Sequence, residues 1–168
     1  MRQLPLFVAL VLLAACASLK PQTGDVSFRL RWDGKADLDL HVVDPGGGHV
    51  GLPFLHAASR DSDRYAALVK QMEETGRLPD GETKGILDID CNAGADKMCP
   101  QPIENIFWPL GSAPRGDYQV WVELFQQAEG SGDVPYVLEI RRGETVAKRL
   151  SGFLGPGRMK SEVAAYTY

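Results

Sequence analysis

The sequence predicts an all-β protein, an antiparallel β-sandwich of jelly-roll-like type with one inserted α-helix near residues 61–75. Three observations support this fold class. Seven or eight short runs alternate apolar and polar residues, as strands with one buried face do. Turn residues rich in glycine, proline and aspartate separate the runs roughly every ten residues, a spacing typical of sandwiches. A single run of apolar residues at helical spacing interrupts this pattern.

The first two predicted strands cover residues 25–32 and 37–43. The turn Asp33-Gly34-Lys35 lies between them, and Asp-Gly is a strong hairpin signal. A glycine-rich turn follows the second strand. Arg142-Gly143 predicts a second hairpin near the C-terminus. The remaining predicted strands are 85–91, 104–108, 118–125, 135–142 and 144–154, with a last run near the C-terminus that closes a sheet edge.

The predicted helix lies within residues 59–76, between two strands. Asp61 or Ser62 can cap its start, and Gly76 is a fitting residue just after its end. The amphipathic spacing of the apolar residues predicts one helix on a long excursion from the sheets.

The N-terminal segment has the features of a targeting signal. Arg2 precedes an apolar run at 4–13, which is too short to span a bilayer. The following residues, Leu13-Ala14-Ala15-Cys16, resemble the lipobox of bacterial lipoproteins. That resemblance implies cleavage before Cys16 and a lipid on its sulfur. An ordinary secretory signal, with Cys16 in this place by chance, is the alternative.

This interpretation divides the chain into three parts. We expect a signal peptide at 1–15, a lipid-anchored tether at 16–24 and a single sandwich domain at 25–168. Acyl chains on Cys16 would give stable membrane attachment. Because Ala17 rather than aspartate follows the cysteine, analogy with lipoproteins favours the outer membrane, facing the periplasm. The inner membrane and the cell surface are the alternatives.

The charge and the cysteine content narrow the possible functional classes and indicate a disulfide. The chain has 18 basic and 22 acidic residues, a net charge of −4, which disfavours nucleic-acid binding and suits a cation. With Cys16 lipidated, Cys91 and Cys99 remain in an oxidising compartment, where a disulfide is the default. A metal site with two thiolates is the alternative, but the sequence has no second pair of cysteines to complete it.

An acidic cluster is the main functional prediction. Strand alternation puts Asp37 and Asp39 on one face of one strand, and Asp88 and Asp90 on one face of another. If these strands meet, the carboxylates must bind a cation or retain a proton. Hard oxygen ligands suit Ca²⁺ best. The predicted ligands are Asp37, Asp39, Asp88, Asp90, Glu104 and Asn105.

Two alternatives to a calcium site remain open. If the strands are far apart, each pair of acids lies on an ordinary solvated face. Zinc bound through His41, His49 or His56 is less favoured, because the sequence has no metal-binding spacing of histidine or cysteine.

Four segments resemble the YfaP-like domains, a bacterial family of unknown function. They are LRWDGKADLDLHVVDPGG, GILDIDCNAG, IENIFWPLGSAPRGDYQVWVELF and YVLEIRRG, which together span about residues 28–143. The chain departs from the family pattern at Ile103, where proline is usual, and in its longer excursion at 56–84. The resemblance implies a secreted β-sandwich without an established enzymatic activity, and it includes the six acidic and amide residues named above.

These observations predict a non-catalytic lipoprotein of the cell envelope with a Ca²⁺ site and a protein or glycan partner. A carbohydrate- or peptidoglycan-binding module is the alternative, with Trp108, Trp121 and Tyr118 as a candidate stacking platform. A hydrolase with two catalytic carboxylates is a third possibility. It is less favoured because no nucleophile or zinc-protease motif is present.

Overall fold

The computed structural model describes residues 20–51, 84–94 and 97–168, and within them it confirms the predicted all-β sandwich. The predicted helix near 61–75, the signal peptide and Cys16 lie outside the described residues. Those residues include no helix long and apolar enough to cross a membrane. The strands are β1 (Val26–Trp32), β2 (Asp37–Val43), β3 (His49–Val50), β4 (Ile86–Asp90), β5 (Ile103–Trp108), β6 (Asp117–Gln126), β7 (Val134–Arg142), β8 (Thr145–Leu154) and β9 (Ala164–Thr167).

The strands form two sheets in which all paired neighbours are antiparallel. The first has five strands in the order β4-β5-β1-β7-β8, and the second has four in the order β3-β2-β6-β9. The predicted hairpin at Arg142-Gly143 is confirmed, because β7 pairs with β8 across that turn. Gly143 has a φ of 53°, a conformation that favours glycine.

The predicted hairpin at Asp33-Gly34 is wrong, because β1 and β2 do not pair with each other. The chain bends at Gly34 and Lys35, but β1 and β2 belong to different sheets, so this segment crosses from one layer to the other. Two side chains hold the crossing. Trp32 Nε1 and Asn92 Nδ2 both donate to the carbonyl oxygen of Ala36, at 2.8 and 2.9 Å. The first of these hydrogen bonds is local and the second is tertiary, and together they hold the chain in the crossing rather than in a hairpin.

The core lies between the sheets and consists of the apolar side chains that alternate along the strands. At one end Phe28, Trp108 and Tyr118 pack ring against ring, with the Trp108 and Tyr118 centroids 5.1 Å apart. All three are fully buried, so Trp108 and Tyr118 cannot form the stacking platform predicted for a glycan. Burial of a large apolar side chain contributes roughly 1.5–3 kcal/mol to folding.

The second sheet has a short edge strand that the sequence did not predict. β3 pairs only with Val42 and Val43. The glycine-rich turn before it is closed by Asp44, whose Oδ1 accepts hydrogen bonds from the amides of Gly46 and Gly48, both at 2.9 Å. Because β3 is two residues long, the first part of β2 has no strand partner on that side among the described residues.

The predicted disulfide between Cys91 and Cys99 is present, with 5.6 Å between the Cα atoms. The loop it closes is fastened to the crossing between β1 and β2 by Asn92. The Asn92 side chain donates to the carbonyl of Ala36 and accepts from the amide of Cys99 at 3.0 Å. Asn92 has a φ of 70°, in the left-handed region that asparagine tolerates better than most residues. The loop therefore supports the segment directly before Asp37.

Candidate metal centre

Glu104 links the two sheets at the edge where β3 ends. It lies on β5 and is 2% exposed, yet its Oε2 accepts a hydrogen bond of 2.6 Å from the backbone amide of Leu40 on β2. An unpaired buried amide would cost about 1–3 kcal/mol. Among the described residues the carboxylate therefore takes the place of a strand partner for the Leu40 amide, and it brings a negative charge beside β2.

Three carboxylates meet at this point. Asp37, Asp39 and Glu104 each offer an oxygen, and these oxygens lie within 4.8 Å of one another. Ca²⁺ binds oxygen at about 2.3–2.6 Å, so ligands on opposite sides of one ion lie roughly 4.6–5.2 Å apart. The three side chains can therefore share a single cation. We call Asp37, Asp39, Asp90 and Glu104 the acidic cluster.

Asp90 joins the cluster through a β-bulge. β4 pairs with β5, and the register shifts between Leu87 and Ile89, so that Asp90 lies opposite Glu104. A side-chain hydrogen bond between Asp90 and Glu104 helps raise the pKa of Glu104. Two carboxyl groups can form such a bond only when one of them is protonated.

The same bulge separates Asp88 from the cluster. Asp88 is the extra residue of the bulge, and its Oδ1 accepts a hydrogen bond of 2.6 Å from Asn105 Nδ2. Its Oδ2 accepts from the amide of Gln22 at 2.8 Å, and Asn105 Oδ1 accepts from Arg29 Nε at 3.3 Å. Of the six predicted ligands, Asp37, Asp39 and Glu104 come together, Asp90 lies beside Glu104, and Asp88 and Asn105 bind each other elsewhere.

Burial and mutual repulsion make the acidic cluster unfavourable in its fully charged form. Burial, with repulsion from Asp90, raises the pKa of Asp37 to about 7. Burial, followed by the charges of Asp37 and Asp90, raises the pKa of Asp39 well above its usual range. Burial, with Asp90 and Asp39, does the same to the pKa of Glu104. The cluster therefore has to take up protons or a cation near neutral pH.

Asp37 brings to the cluster a carboxylate oxygen for which the described residues provide no hydrogen bond. Asp37 is 5% exposed, and its buried Oδ1 makes no hydrogen bond within the described parts of the chain. Asp37 also lines an open cleft of about 310 Å³ beside Asn92, Met98 and Gln126. The positive charge of Lys97 lowers the pKa of Asp37 slightly against the larger effect of burial. The cleft gives a cation a route to this oxygen.

His41, two residues after Asp39 on the same face of β2, and His49 on β3 do not complete this site. His41 stacks on Trp121 with 4.9 Å between the ring centroids, and His49 lies 5.1 Å from the same ring. Burial, with further effects that include the charge of Lys160, lowers the pKa of His41 to about 3 and that of His49 to about 4. Lys160 lies over the Trp121 ring at 4.5 Å. A neighbouring ammonium group disfavours a second cation, so the geometry of His41 and His49 does not support a zinc site; His56 lies outside the described residues.

Three residues near the cluster were missed by the sequence analysis. They are Asn92, Lys97 and Glu123, the last of which lies opposite Asp39 in the sheet and helps raise the pKa of Asp39. The signal for Glu123 was present, since it alternates with apolar residues on its strand. To place Glu123 beside Asp39, one must know that β2 pairs with β6, and the sequence did not predict this pairing.

Comparison of the chain with protein-family models, with curated proteins and with solved structures gave no match. The resemblance to the YfaP-like domains stays a prediction. The functional argument accordingly depends on the geometry of the described residues.

Proposed function

We propose that this protein is a non-catalytic cell-envelope lipoprotein, anchored through Cys16, whose β-sandwich serves binding or structure and carries a Ca²⁺ site in the acidic cluster. The observation that carries this proposal is the convergence of Asp37, Asp39 and Glu104 within 4.8 Å, in a place where each is at most 5% exposed. Like charges so close and so deeply buried need a counter-charge.

The choice of Ca²⁺ follows from the donor atoms. Every candidate ligand is a carboxylate oxygen, and neither imidazole nor thiolate belongs to the group. Oxygen donors suit Ca²⁺ and Mg²⁺. Mg²⁺ keeps several of its water molecules, which a closely spaced and buried set of carboxylates accommodates poorly. Ca²⁺ is the better fit.

The geometry offers less support for the two other predicted functions. The side chains of Asp39 and Glu104 are 5% and 2% exposed, so a polymer cannot reach them as it would reach the catalytic carboxylates of a glycosidase. For a glycan-binding module, the predicted platform lacks accessible rings. Trp108 and Tyr118 are in the core, and Trp121 is covered by His41 and Lys160.

The test is a thermal-unfolding measurement on the full-length chain with EDTA and with millimolar Ca²⁺. A ligand that binds only the native state adds about 2.7 kcal/mol to the free energy of unfolding at a hundredfold excess over its dissociation constant. We expect Ca²⁺ to raise the melting temperature of the wild type. The double variant Asp39→Asn, Asp90→Asn should lose this gain.

Asp88→Asn is the matched control, because it removes an acid from the same strand as Asp90 but outside the cluster. This variant should keep the full response to Ca²⁺. Absence of a response in the wild type, or an equal response in the double variant, would contradict the proposed site.

A further inference from the structure

The outer face of the five-stranded sheet carries a concentration of arginine. Arg29 and Arg31 alternate along β1 with the buried residues Phe28 and Leu30, so they project away from the core. Directly paired residues share a face of the sheet. We call this surface the arginine face; its charged and amide residues are Arg29, Arg31, Asp88, Asn105, Glu139, Arg141 and Arg149. It has four arginines and two acids, and a third acid, Asp33, lines the same groove as Arg31, although the whole chain has a net charge of −4.

Arg29 is the most deeply buried of these arginines. It is 9% exposed, and its only hydrogen bond within the described residues is the one from Nε to Asn105. Its neighbour on β7, Glu139, is bound instead to Arg141 at 2.9 Å and to Arg149 at 2.5 Å. Burial, with repulsion from Arg141 and then Arg31, lowers the pKa of Arg29. Glu139 and Asp88 offset part of this repulsion, and an anion on this face would add further counter-charge.

Exposed apolar side chains lie on the same face. Val137 pairs with Arg31, Val146 pairs with Arg141, and Phe153 lies further along β8. They are 36%, 38% and 51% exposed. A shallow groove of about 590 Å³ runs between Arg31, Val137 and Phe153. Basic and apolar side chains mixed on one surface are typical of proteins that bind the interfacial region of a membrane.

The N-terminal chain leaves the sandwich from this face. The amide of Gln22 donates to Asp88, and the carbonyl of Gln22 accepts from Asn105 Nδ2 at 3.0 Å. Asn105 in turn binds Arg29. Six residue steps separate Gln22 from Cys16, which is at most about 20 Å of extended chain. A lipid on Cys16 would therefore hold the arginine face close to the bilayer.

We propose that the arginine face docks onto anionic phospholipid headgroups of the membrane that holds the anchor. The inference rests on the proposed anchoring through Cys16. Guanidinium groups bind phosphate oxygens with paired, charge-assisted hydrogen bonds. Phe153 then lies at the boundary between headgroups and acyl chains. An acidic polysaccharide would match the charge of the arginines, but it would explain neither the exposed apolar residues nor the exit point of the chain.

The experiment places a tryptophan on the face as a reporter. The full-length chain with Phe153→Trp is reconstituted into vesicles of brominated phosphatidylcholine with phosphatidylglycerol, and its emission is compared with that of the parent protein. We expect emission from position 153 to shift to shorter wavelength and to be quenched by bromine. Val163→Trp is the matched control, because Val163 is 53% exposed and lies beside β9 of the other sheet. It should stay unquenched.

The anionic lipid and the arginines should both be necessary. Quenching at position 153 should be lost in vesicles of phosphatidylcholine alone, in high salt, and in the variant that adds Arg29→Gln and Arg31→Gln. Arg115→Gln also removes a positive charge, but outside the arginine face, where Arg115 lies over the Tyr168 ring. This control should leave the quenching unchanged. Equal quenching at positions 153 and 163, or quenching independent of the arginines, would overturn the docking proposal.

Flotation of the vesicles separates docking from anchoring. A chain that floats with the vesicles in high salt, but shows no quenching at position 153 in low salt, would overturn docking and leave the anchor intact. A chain that does not float under either condition would overturn both. Retention on carboxymethyl dextran but not on dextran, without quenching at position 153, would assign the face to an acidic polymer instead.

Discussion

The acidic cluster and the arginine face both concentrate charge of one sign, but they differ in where the charge lies. Three carboxylates of the cluster are 5% exposed or less, and one of their oxygens has no hydrogen bond within the described residues. On the arginine face, Arg149 is 64% exposed at its side chain and binds Glu139. Solvent and Glu139 therefore screen the positive charge of Arg149, whereas these three carboxylates of the acidic cluster are shielded from solvent. Enclosed charge affects folding, and exposed charge affects association.

We expect the largest effect on stability from the variant Glu104→Gln, and this effect should change sign between EDTA and Ca²⁺. The amide oxygen can still accept the hydrogen bond of Leu40, while the repulsion from Asp39 and Asp90 is removed. We expect this variant to be more stable than the wild type in EDTA. It should lack the gain of about 2.7 kcal/mol that a hundredfold excess of Ca²⁺ gives the wild type. Chemical denaturation with and without Ca²⁺ measures both quantities, and a variant less stable in EDTA would contradict the repulsion.

A comparable effect is expected from the disulfide that supports the cluster. Replacing Cys91 and Cys99 by serine removes a short cross-link, whose loop-closure entropy corresponds to about 2.5 kcal/mol. Asn92→Ala keeps the disulfide but removes the hydrogen bonds to Ala36 and Cys99. We expect both variants to bind Ca²⁺ more weakly in calorimetric titration. Unchanged affinity in Asn92→Ala would show that the loop does not position Asp37.

The pH dependence of stability should also distinguish the two regions. A carboxyl whose pKa is raised on folding binds more protons in the native state, so its contribution to stability falls as pH rises from the unfolded value towards the folded one. For Asp37 this window runs from 3.8 to about 7. In EDTA the free energy of unfolding should fall across it, by at most about 1.4 kcal/mol per pH unit for each such carboxyl.

Calcium should weaken or reverse this trend, because it replaces the protons of the acidic cluster. Denaturation curves at several pH values, with EDTA or with saturating Ca²⁺, give the comparison. The Asp39→Asn, Asp90→Asn variant serves as the control, and its curves should respond less to pH and should not respond to Ca²⁺. A wild type whose stability rises with pH in EDTA would contradict the pKa directions derived for the cluster.

The smallest effect on stability is expected on the arginine face. The salt bridges of Glu139 lower its pKa, chiefly through Arg149 and Arg141. Such pairs near the surface contribute about 0.2–1 kcal/mol. Glu139→Gln should therefore lower the free energy of unfolding by less than about 1 kcal/mol, while it strengthens binding to anionic vesicles. A large loss of stability would show that the face serves folding rather than association.

The sequence predicted most strands because their alternation follows directly from one buried and one exposed face. It could not predict the layer change between β1 and β2, since the Asp33-Gly34 signal is local and the hydrogen bond from Asn92 to Ala36 is tertiary. The two-residue strand β3 is too short to show any alternation.

The alternation of faces along a strand also predicted part of the candidate site. Asp37 and Asp39 share a face in a regular strand, as expected, and their carboxylates do converge. Asp88 and Asp90 also share a face in a regular strand, but the bulge sends them to opposite sides of the sheet. A bulge depends on the partner strand, so the alternation of β4 alone could not reveal it.

That bulge also decides where mechanical force would enter the molecule. Asp90 belongs to the acidic cluster, while Asp88, two residues earlier on the same strand, holds the amide of Gln22. On β5, Glu104 and its neighbour Asn105 are divided in the same way between the cluster and Gln22. If Cys16 is fixed in a bilayer, tension along the N-terminal chain is transmitted first to these two strands. A cation bound in the acidic cluster, to which Glu104 contributes an oxygen, would then stabilise the point at which the domain is pulled.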